Sequence, residues 1–486
     1  MPPPIASLVP SPPTAIPIPA WHAVRPEAVW AAWPAQRPLA ALRSGADAEA
    51  SRWVILAEPE SAQIHQQPAE AIRLLTAHSA AAAAPFDRSS LDPHAPPFLG
   101  GWIGQLSYHL GQALESASGS PAQPASTWPA AAWFFCPRAW VFDRLRQSWW
   151  AVGPSDWTRQ PPDIDPGPAS DSVRGFDLGP LRPTMPAADY QAAVRRALSA
   201  IAAGDIYQVN LTHALHAEFT GSTRALFAAL AEQLRPWYGA YLELPDSAAG
   251  SRRAIACASP ELFLSFDPRT RRVETRPMKG TRRASADPAE LRDNPKEQAE
   301  LCMIIDLMRN DLGRVAAVGS VTVAHHRAIE QHGRPASPGE SAAGVWQATA
   351  TISAILREGL TLAHLLRATF PGGSVTGAPK IAAMQQIARL ETFARGPYCG
   401  LVGYVSICGH AAANIAIRTA LIEGEPDPAS TARDAIRSGT LTYPVGAGIV
   451  ADSDPLSEWR ETLDKAAGIA AIVTHAPHAP STRAAP

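Results

Sequence analysis

Lysine is scarce in this chain, and its few positions suggest chemistry. Of the 42 lysine and arginine residues, only four are lysines: Lys279, Lys296, Lys380 and Lys465. An amine can lose its proton and attack carbon, or act as a compact charge, whereas a guanidinium does neither well. Lys296 fits a solvated helix residue. The other three lie in strings typical of functional sites, at 276–281, 374–380 and 461–465, so we expect a nucleophile or a point charge among them.

Two carboxylates on different predicted helices could bind a divalent cation. The helix predicted to begin at 294–295 carries Glu300, and the helix predicted to begin at 454–455 carries Glu461. Mg²⁺ typically takes few protein carboxylates and completes its shell with water and substrate oxygens. On spacing alone, two solvated charges on helix faces are the alternative interpretation.

Other positions could bind anions or line a cleft. Arg418 ends a predicted strand and could form a forked hydrogen bond with a carboxylate. The backbone amides of 446–448 could bind an anion. Lys279 follows Pro-Met and precedes glycine, a setting that either aims a side chain into a cleft or leaves it on the surface. The loop 371–380 lacks the glycine spacing and the ending of a phosphate loop, so we predict no nucleotide binding.

The composition is that of a globular protein without a nucleic-acid or membrane partner. The chain has 486 residues, is 46% hydrophobic and has a formal net charge of −2, which gives no electrostatic reason to bind nucleic acid or anionic lipid. No run approaches the roughly 20 apolar residues of a membrane span. The five cysteines are odd in number and lack metal-ligand spacing, which predicts reduced thiols and a cytoplasmic location.

Changes in composition along the chain predict its organisation. We predict disordered tails at 1–20 and 477–486, a first region at 21–152, a Pro- and Gly-rich linker at 153–186 and a main domain at 187–476. Two further segments, 330–344 and 423–440, are rich in Pro, Ser, Gly and charge, and we predict surface loops there.

The clearest elements lie beyond residue 186. Apolar residues at helical spacing predict a helix that includes Tyr190 and Ile201 and ends at Gly204. Strict alternation over 206–219 predicts a strand with one apolar face and one amide-rich face that includes Gln208. Further strand-like runs lie at 254–266, 271–276, 318–324, 400–407, 412–421 and 445–450. Helices gather elsewhere, so the pattern predicts an α+β fold with large antiparallel sheets.

Four strings, in this order, resemble the chorismate-utilising enzymes. They are ELCMIIDLMRNDLGR at 300–314, FPGGSVTGAPK at 370–380, IRT at 417–419 and GIVADS at 448–453. The resemblance is strong over 187–472 and weak in the first region. It implies an anthranilate synthase component I-like fold, in which two large antiparallel β-sheets pack together with helices outside and two subdomains are interleaved.

Within that family, two positions sort the reactions. The string RPMKGT at 276–281 resembles that of members which aminate chorismate at C4, whereas members that make anthranilate have alanine in place of Lys279. Gln208 stands where the water-using members carry a lysine base, and an amide cannot deprotonate water. The resemblance therefore implies formation of 4-amino-4-deoxychorismate, a precursor of 4-aminobenzoate and folate. Anthranilate formation and a catalytically idle regulatory relative are the alternatives.

The resemblance also implies a role for each site residue. Lys279 corresponds to a lysine that attacks the ring at C2, and Glu261 to the acid that protonates the departing C4 hydroxyl. Mg²⁺, held by Glu300 and Glu461, is implied to anchor the ring carboxylate. The implied substrate-binding residues are Gln208, Gly280, Thr281, Thr376, Arg418, Gly446, Ala447, Gly448 and Lys465.

The source of ammonia is implied to lie outside this chain. No cysteine lies in the Gly-x-Cys-x-Gly elbow of a glutaminase, so the resemblance implies a separate glutamine amidotransferase subunit. One departure from the family is Gln347, which stands where relatives usually have a histidine near the substrate. The first region also lacks a clear match to the tryptophan-binding motif of the family.

Overall fold

The computed structural model describes residues 13–44, 51–73, 91–115, 126–158, 164–166, 175–333 and 344–473. Its helices are α1 Pro26–Ala31, α2 Leu110–Leu114, α3 Ser155–Thr158, α4 Ala187–Ala202, α5 Thr223–Leu234, α6 Pro288–Arg292, α7 Pro295–Gly313, α8 Leu362–Thr369, α9 Lys380–Leu390, α10 Pro455–Lys465 and α11 Ala467–Val473. Short 3-10 turns lie at Pro19–Trp21 and Gly373–Val375.

The strands are β1 Pro13–Pro17, β2 Ala40–Arg43, β3 Trp53–Glu58, β4 Ser61–His65, β5 Gly101–Leu106, β6 Ala131–Cys136, β7 Arg138–Asp143, β8 Ser148–Pro154, β9 Phe176–Leu178, β10 Arg182–Pro183, β11 Gln208–Ser222, β12 Tyr238–Leu244, β13 Arg252–Ser259, β14 Leu262–Asp267, β15 Arg272–Arg276, β16 Met278–Arg283, β17 Thr322–His332, β18 Val345–Ile355, β19 Gly377–Ala378, β20 Leu401–Ser406, β21 Ala411–Ile415, β22 Thr419–Pro426 and β23 Ala435–Ile449.

Two large antiparallel sheets contain all of these strands. The first has the order β1-β8-β7-β3-β2-β12-β13-β22-β23-β11-β10, and β9 and β19 also pair with β11. The second has the order β16-β18-β15-β14-β21-β20-β5-β6-β4, and β17 also pairs with β18. Strands from both sides of the predicted linker occur in each sheet, so the two subdomains are interleaved as predicted.

Three hydrophobic clusters hold this arrangement together. One joins the facing sides of the sheets and contains Ile55 and Val402, which come from the first and the second sheet. Another packs α1, α5 and α11 on the first sheet through residues such as Phe227. The largest packs α4, α7, α8 and α9 around residues such as Met308 and Leu211. Since burying one such side chain contributes about 1.5–3 kcal/mol, these layers confirm the predicted packed sheets with helices outside.

The predicted helix starts are confirmed in detail. Asn294 caps α7, because its side chain accepts a hydrogen bond from the Glu297 amide at 3.1 Å. Asp454 caps α10 by accepting from the Ser457 amide at 2.8 Å. Each cap typically contributes about 1 kcal/mol. These caps fix where the helices that carry the two predicted metal ligands begin.

Two predictions from composition are wrong. β1 pairs with β8 along its whole length, so residues 13–17 are not part of a disordered tail. The β22–β23 hairpin fills most of 423–440, so the surface loop predicted there is largely strand. Of the loop predicted at 330–344, only 330–332 lie in a strand, at the end of β17, and most of the rest stays a prediction. Polar and glycine residues misled the prediction because the outward face of an antiparallel strand is commonly solvated. The segments 1–12, 334–343 and 477–486 lie outside the described residues.

Smaller differences concern element ends. The strand predicted at 318–324 begins only at Thr322, after a turn. Tyr207, predicted on the apolar face of the strand, lies before β11 and is 68% exposed. The stretch 153–186 contains α3, β9 and β10, and its role as a linker stays a prediction.

Within the described residues, no helix combines the length and the apolar character needed to cross a membrane.

Candidate active site

A bulge in β16 places Lys279. The pairing of β16 with β18 shifts between Lys279 and Thr281, and Gly280 adopts a left-handed backbone with φ +74°, which favours glycine. A Cβ at Gly280 would lie 2.5 Å from Cδ1 of Leu291, so a larger residue would displace the local structure. Nζ of Lys279 lies 3.8 Å from Oε2 of Glu300 on α7, and the lysine side chain is 13% exposed.

The first sheet contributes Gln208 and Gly448 to the same place. A Cβ at Gly448 would lie 2.9 Å from Nζ of Lys279 and 3.1 Å from Nε2 of Gln208, so both polar ends lie against bare backbone. Gln208 is fully buried, and neither polar atom of its carboxamide has a hydrogen-bond partner among the described residues. Because buried amides normally have partners, this carboxamide is available to a ligand. The amide-rich face predicted for the strand therefore lines a polar site.

Glu261 is a buried acid between β13 and β14. Its side chain is closed off from solvent, and Oγ of Ser374 donates a hydrogen bond to Oε1 at 2.6 Å. Burial raises the pKa of Glu261 to about 7, although the Ser374 hydrogen bond and the charge of Lys279 oppose the rise. A carboxyl with such a pKa can donate a proton near neutral pH. Ser374 was not among the predicted site residues, and its only signal was its place in the string 370–380.

Each predicted metal ligand faces a lysine. Oε1 of Glu461 lies 2.8 Å from Nζ of Lys465, which also donates to the carbonyl of Gly446 at 2.7 Å. Glu300 faces Lys279, whose amine lies against Gly448. The two lysine amines therefore approach β23 two residues apart, at Gly448 and Gly446, which corresponds to roughly 7 Å along a strand. In the described part of the chain, no three His, Cys, Asp or Glu side chains form a ready-made metal group. A metal here would depend on these two carboxylates and on oxygens from substrate or water.

Arg418 is a half-buried cation that pairs with no carboxylate of the described residues. Its backbone has φ +50°, which is uncommon for a residue other than glycine, and its carbonyl accepts a hydrogen bond from the Ala258 amide at 3.0 Å. Burial lowers the pKa of Arg418, while Tyr443 and Glu261 oppose the shift. The Tyr443 hydroxyl is buried and has no hydrogen-bond partner in the described structure. A cation and a hydroxyl are thus available to a ligand carboxylate.

The backbone of β23 offers further donors. Residues 446–448 pair with β11 on one edge, whereas β22 pairs with the other edge only as far as Thr442. Because amides alternate in direction along an antiparallel strand, alternate amides of 443–449 face an edge that no described strand covers. Of the three consecutive amides of Gly446, Ala447 and Gly448, which are predicted to bind a carboxylate, at most two can therefore face this edge.

Two residues of the string 370–380 make structural contacts. Lys380 is buried, and its amine donates to Oδ2 of Asp311 at 2.5 Å and to the carbonyl of Thr369 at 2.9 Å. This buried ion pair gives Lys380 itself a structural role, whereas Ser374 of the same string contacts Glu261. Thr376 is fully buried and donates to the carbonyl of Gly372 at 2.8 Å, while the Tyr108 hydroxyl donates to it at 3.3 Å. Substrate binding by Thr376 stays a prediction.

The chain belongs to the chorismate-binding enzyme family, whose profile matches residues 40–471. Among individual relatives, aminodeoxychorismate synthase component 1 of Escherichia coli strain K12 is 34% identical over 376 residues, which cover 76% of each chain. Anthranilate synthase component 1 of Thermus thermophilus is also 34% identical, over 404 residues that cover 79% of each chain. The crystal structure of anthranilate synthase component I from Streptococcus pneumoniae aligns with a TM-score of 0.66 at 26% identity, covering 86% of this chain and 92% of that chain. The predicted family and fold are confirmed.

Proposed function

We propose that this chain acts as an aminodeoxychorismate synthase component 1, which combines chorismate with ammonia to give 4-amino-4-deoxychorismate. The observation that carries the proposal is Lys279, whose half-buried amine lies against Gly448 beside Gln208 and faces Glu300. Overall identity does not separate the two reactions, since relatives with either name are 34% identical. Position 279 does separate them, because the anthranilate-forming pattern has alanine there.

In the proposed reaction, Lys279 is the nucleophile and Glu261 the general acid. The amine forms a bond to C2 of the ring while the C4–O bond breaks, and Glu261 transfers its proton so that water leaves. Ammonia then bonds to C4, the bond between C2 and Lys279 breaks, and the enolpyruvyl group stays on the ring. The pKa of Glu261, raised to about 7, supports this role because the carboxyl keeps a proton to give.

The donor set fits Mg²⁺ as the cofactor. Glu300 and Glu461 offer carboxylate oxygens from α7 and α10, and Mg²⁺ prefers hard oxygen donors. When bound, the cation would supply Lewis-acid polarisation of the ring carboxylate. In the structure, Nζ of Lys279 lies 3.8 Å from Glu300 and Nζ of Lys465 lies 2.8 Å from Glu461.

The remaining positive and N–H groups are proposed to bind the substrate carboxylates, and a partner subunit is proposed to supply the ammonia. Arg418, Lys465 and those amides of 446–448 that face the uncovered edge of β23 supply positive charge and N–H donors for the two carboxylates. Of the five cysteines, only Cys302 is exposed, and its surroundings in the sequence are not those of a glutaminase nucleophile. A separate glutamine amidotransferase subunit is therefore proposed to deliver the ammonia, and the product would serve 4-aminobenzoate and folate synthesis.

A product assay tests the proposal. The purified chain, given chorismate, Mg²⁺ and an ammonium salt, should form 4-amino-4-deoxychorismate by chromatography, and a chelator should abolish the product. Glutamine in place of ammonium should give no product until an amidotransferase subunit is added. Release of anthranilate and pyruvate would reassign the chain to the other amination. Chorismate binding without any product would favour the regulatory alternative.

A further inference from the structure

A buried ion pair that follows α9 contacts the strand that carries Gln208. Glu391 comes directly after the last residue of α9, and Arg395 lies four residues further along the chain. Nε and Nη2 of Arg395 donate to the two carboxylate oxygens of Glu391 at 2.9 and 2.6 Å, which is the forked geometry of a strong charge-assisted pair. Both side chains are at most 4% exposed, and the guanidinium lies over the ring of Tyr108 at 4.4 Å. The pair is therefore closed off from water and held in one geometry.

This ion pair takes the place of a neighbouring strand at one edge of β11. On that edge, β19 and β10 pair with β11 on either side of a gap over 210–214. Inside the gap, Nη2 of Arg395 donates to the carbonyl of Asn210 at 2.7 Å, and Oε1 of Glu391 accepts from the amide of Thr212 at 2.9 Å. Because buried backbone groups need hydrogen-bond partners, the two side chains supply what no described strand provides there.

The same guanidinium contacts the turn that carries Ser374. Nη1 of Arg395 donates to the carbonyl of Val375 at 2.8 Å, and the neighbouring Ser374 hydroxyl donates to the buried acid Glu261 at 2.6 Å. One planar group thus joins β11 to the turn that contacts the acid. A lysine could not make these four hydrogen bonds, since an ammonium has three donors and lacks the rigid fork.

We propose that Arg395, held by Glu391, is a positioning residue that fixes the turn from which Ser374 donates its hydrogen bond to Glu261. A displaced turn would lengthen or bend that hydrogen bond, which weakens steeply as its geometry worsens. The inference rests on the proposed function, in which Glu261 donates a proton to the departing hydroxyl group. It assigns to the turn a role in setting when that proton is present.

Several groups face Glu261 besides Ser374. Burial raises the pKa of Glu261, and the groups that oppose the rise are the Ser374 hydroxyl, the charge of Lys279, the backbone of Met278 and the charge of Arg418. Cys399 is also near and stays neutral, because burial raises its pKa to about 12. Loss of the Ser374 hydrogen bond should therefore raise the pKa of Glu261 further. Since lysine at position 395 keeps the positive charge, a change seen in Arg395→Lys reports position and not charge.

Arg395→Lys tests the inference, and Arg224→Lys is its matched control. Arg224 is 7% exposed and forms a fork with Glu243 at 2.5 and 3.1 Å. It also donates to two backbone carbonyls, those of Pro34 and Arg37. None of these partners has a proposed role in the site, so the control disrupts the same kind of buried pair at another place in the fold.

The protonation of Glu261 is measured without any turnover. Infrared difference spectroscopy follows the C=O stretch of its protonated carboxyl, which is identified by its absence in Glu261→Gln, and gives the titration midpoint for each variant. Product assays give kcat, calorimetry gives the chorismate Kd, and thermal unfolding gives the stability. Ser374→Ala is included because it removes the proposed link and leaves the ion pair in place.

Ser374→Ala should move the Glu261 midpoint up by about one pH unit, as expected for loss of a hydrogen bond to a charged group. Arg395→Lys should move it in the same direction and lower kcat about 10-fold, while the chorismate Kd changes less than about threefold. The double variant should titrate no higher than Ser374→Ala alone, because Arg395 acts through Ser374. Arg224→Lys should lose stability but keep the wild-type midpoint and kcat.

A folded Arg395→Lys variant with the wild-type midpoint would overturn the inference, as would an equal shift in Arg224→Lys. A double variant that titrates above Ser374→Ala would overturn the link through Ser374. If Arg395→Lys does not fold, Glu391→Gln carries the same test, since it opens the fork at nearly constant size.

Two further outcomes separate the inference from its surroundings. If both variants of the ion pair are unfolded at a temperature at which Arg224→Lys is folded, the pair only supports the fold and the inference is wrong. A wild-type chain that forms no amine product overturns the proposed function instead. In that case, the infrared midpoints of Glu261 still decide whether Arg395 positions the turn.

Discussion

Lys279 and Lys380 both lie in conspicuous strings, yet the structure gives them opposite surroundings. Lys380 has a carboxylate at 2.5 Å and a carbonyl at 2.9 Å, and burial raises the pKa of its partner Asp311 to about 6 although Lys380 opposes the rise. Lys279 has its carboxylate only at 3.8 Å and lies beside Gln208, whose buried carboxamide has no partner among the described residues. Satisfied polar groups indicate structure, and unsatisfied ones indicate a place for a ligand.

The largest effect on activity is expected from loss of the Lys279 amine. Lys279→Ala should reduce kcat for 4-amination by about 10³-fold or more, as expected for loss of a nucleophile, because the variant removes the amine that lies against Gly448 and faces Glu300. Its unfolding midpoint should stay close to that of the wild type. Steady-state product assays and thermal unfolding measure both quantities. A variant that retains wild-type kcat would remove the covalent step from the mechanism.

The matching substitution of Lys380 should lower the stability of the fold. Lys380→Ala leaves Asp311 buried and uncompensated, so it should lower the free energy of unfolding by about 3–5 kcal/mol. The double variant Lys380→Met with Asp311→Leu should recover much of that loss, since neither charge remains. Denaturant unfolding measures both changes. If Lys380→Ala instead kept full stability and lost activity, the assignment of the two lysines would have to be exchanged.

The pH dependence sharpens the role assigned to the acid. The pKa of Glu261 is raised to about 7, above its ordinary value, so the carboxyl is protonated below that pH and loses its proton as the pH rises through it. We therefore expect kcat to fall above about pH 7. Glu261→Gln should reduce kcat by about 10²- to 10⁴-fold and abolish this limb in the pH–rate profile. A limb that persists in the variant would assign it to another group.

The smallest expected effect tests the packing of Lys279 on β23. A Cβ at Gly448 would lie 2.9 Å from Nζ of Lys279 and 3.1 Å from Nε2 of Gln208, so Gly448→Ala should displace these two flexible side chains without unfolding the sheet. We expect kcat to fall about 10-fold, since misplacement by about 1 Å can cost up to about 10²-fold. Gly313→Ala, where a Cβ would meet nothing within 4 Å, is the control. Equal kcat values for both variants would contradict the proposed contact.

Much of the fold followed from local patterns. The caps at Asn294 and Asp454 and the glycine stop after α4 depend on residues within a few positions of one another, and all are confirmed. The strand β11 is confirmed as well, although both of its faces are buried over 208–215. The predictions of a tail over 13–17 and of a surface loop at 423–440 were wrong because strand pairing, which local composition does not reveal, decides the structure of these segments. β1, for example, pairs with β8 more than a hundred residues away, and local composition carries no record of that partner.

The sequence alone determined the family, the residue types available for chemistry and the elements that carry them. Only the tertiary structure decided that Lys380 is a structural cation, that Glu261 is buried deeply enough to hold a proton near neutral pH, and that Oε1 of Gln347 and both ring nitrogens of His332 have no hydrogen-bond partner in the described structure. The physical reason is that burial, pKa and hydrogen-bond satisfaction depend on which distant groups exclude water from a side chain. A residue's neighbours along the chain do not fix those distant contacts.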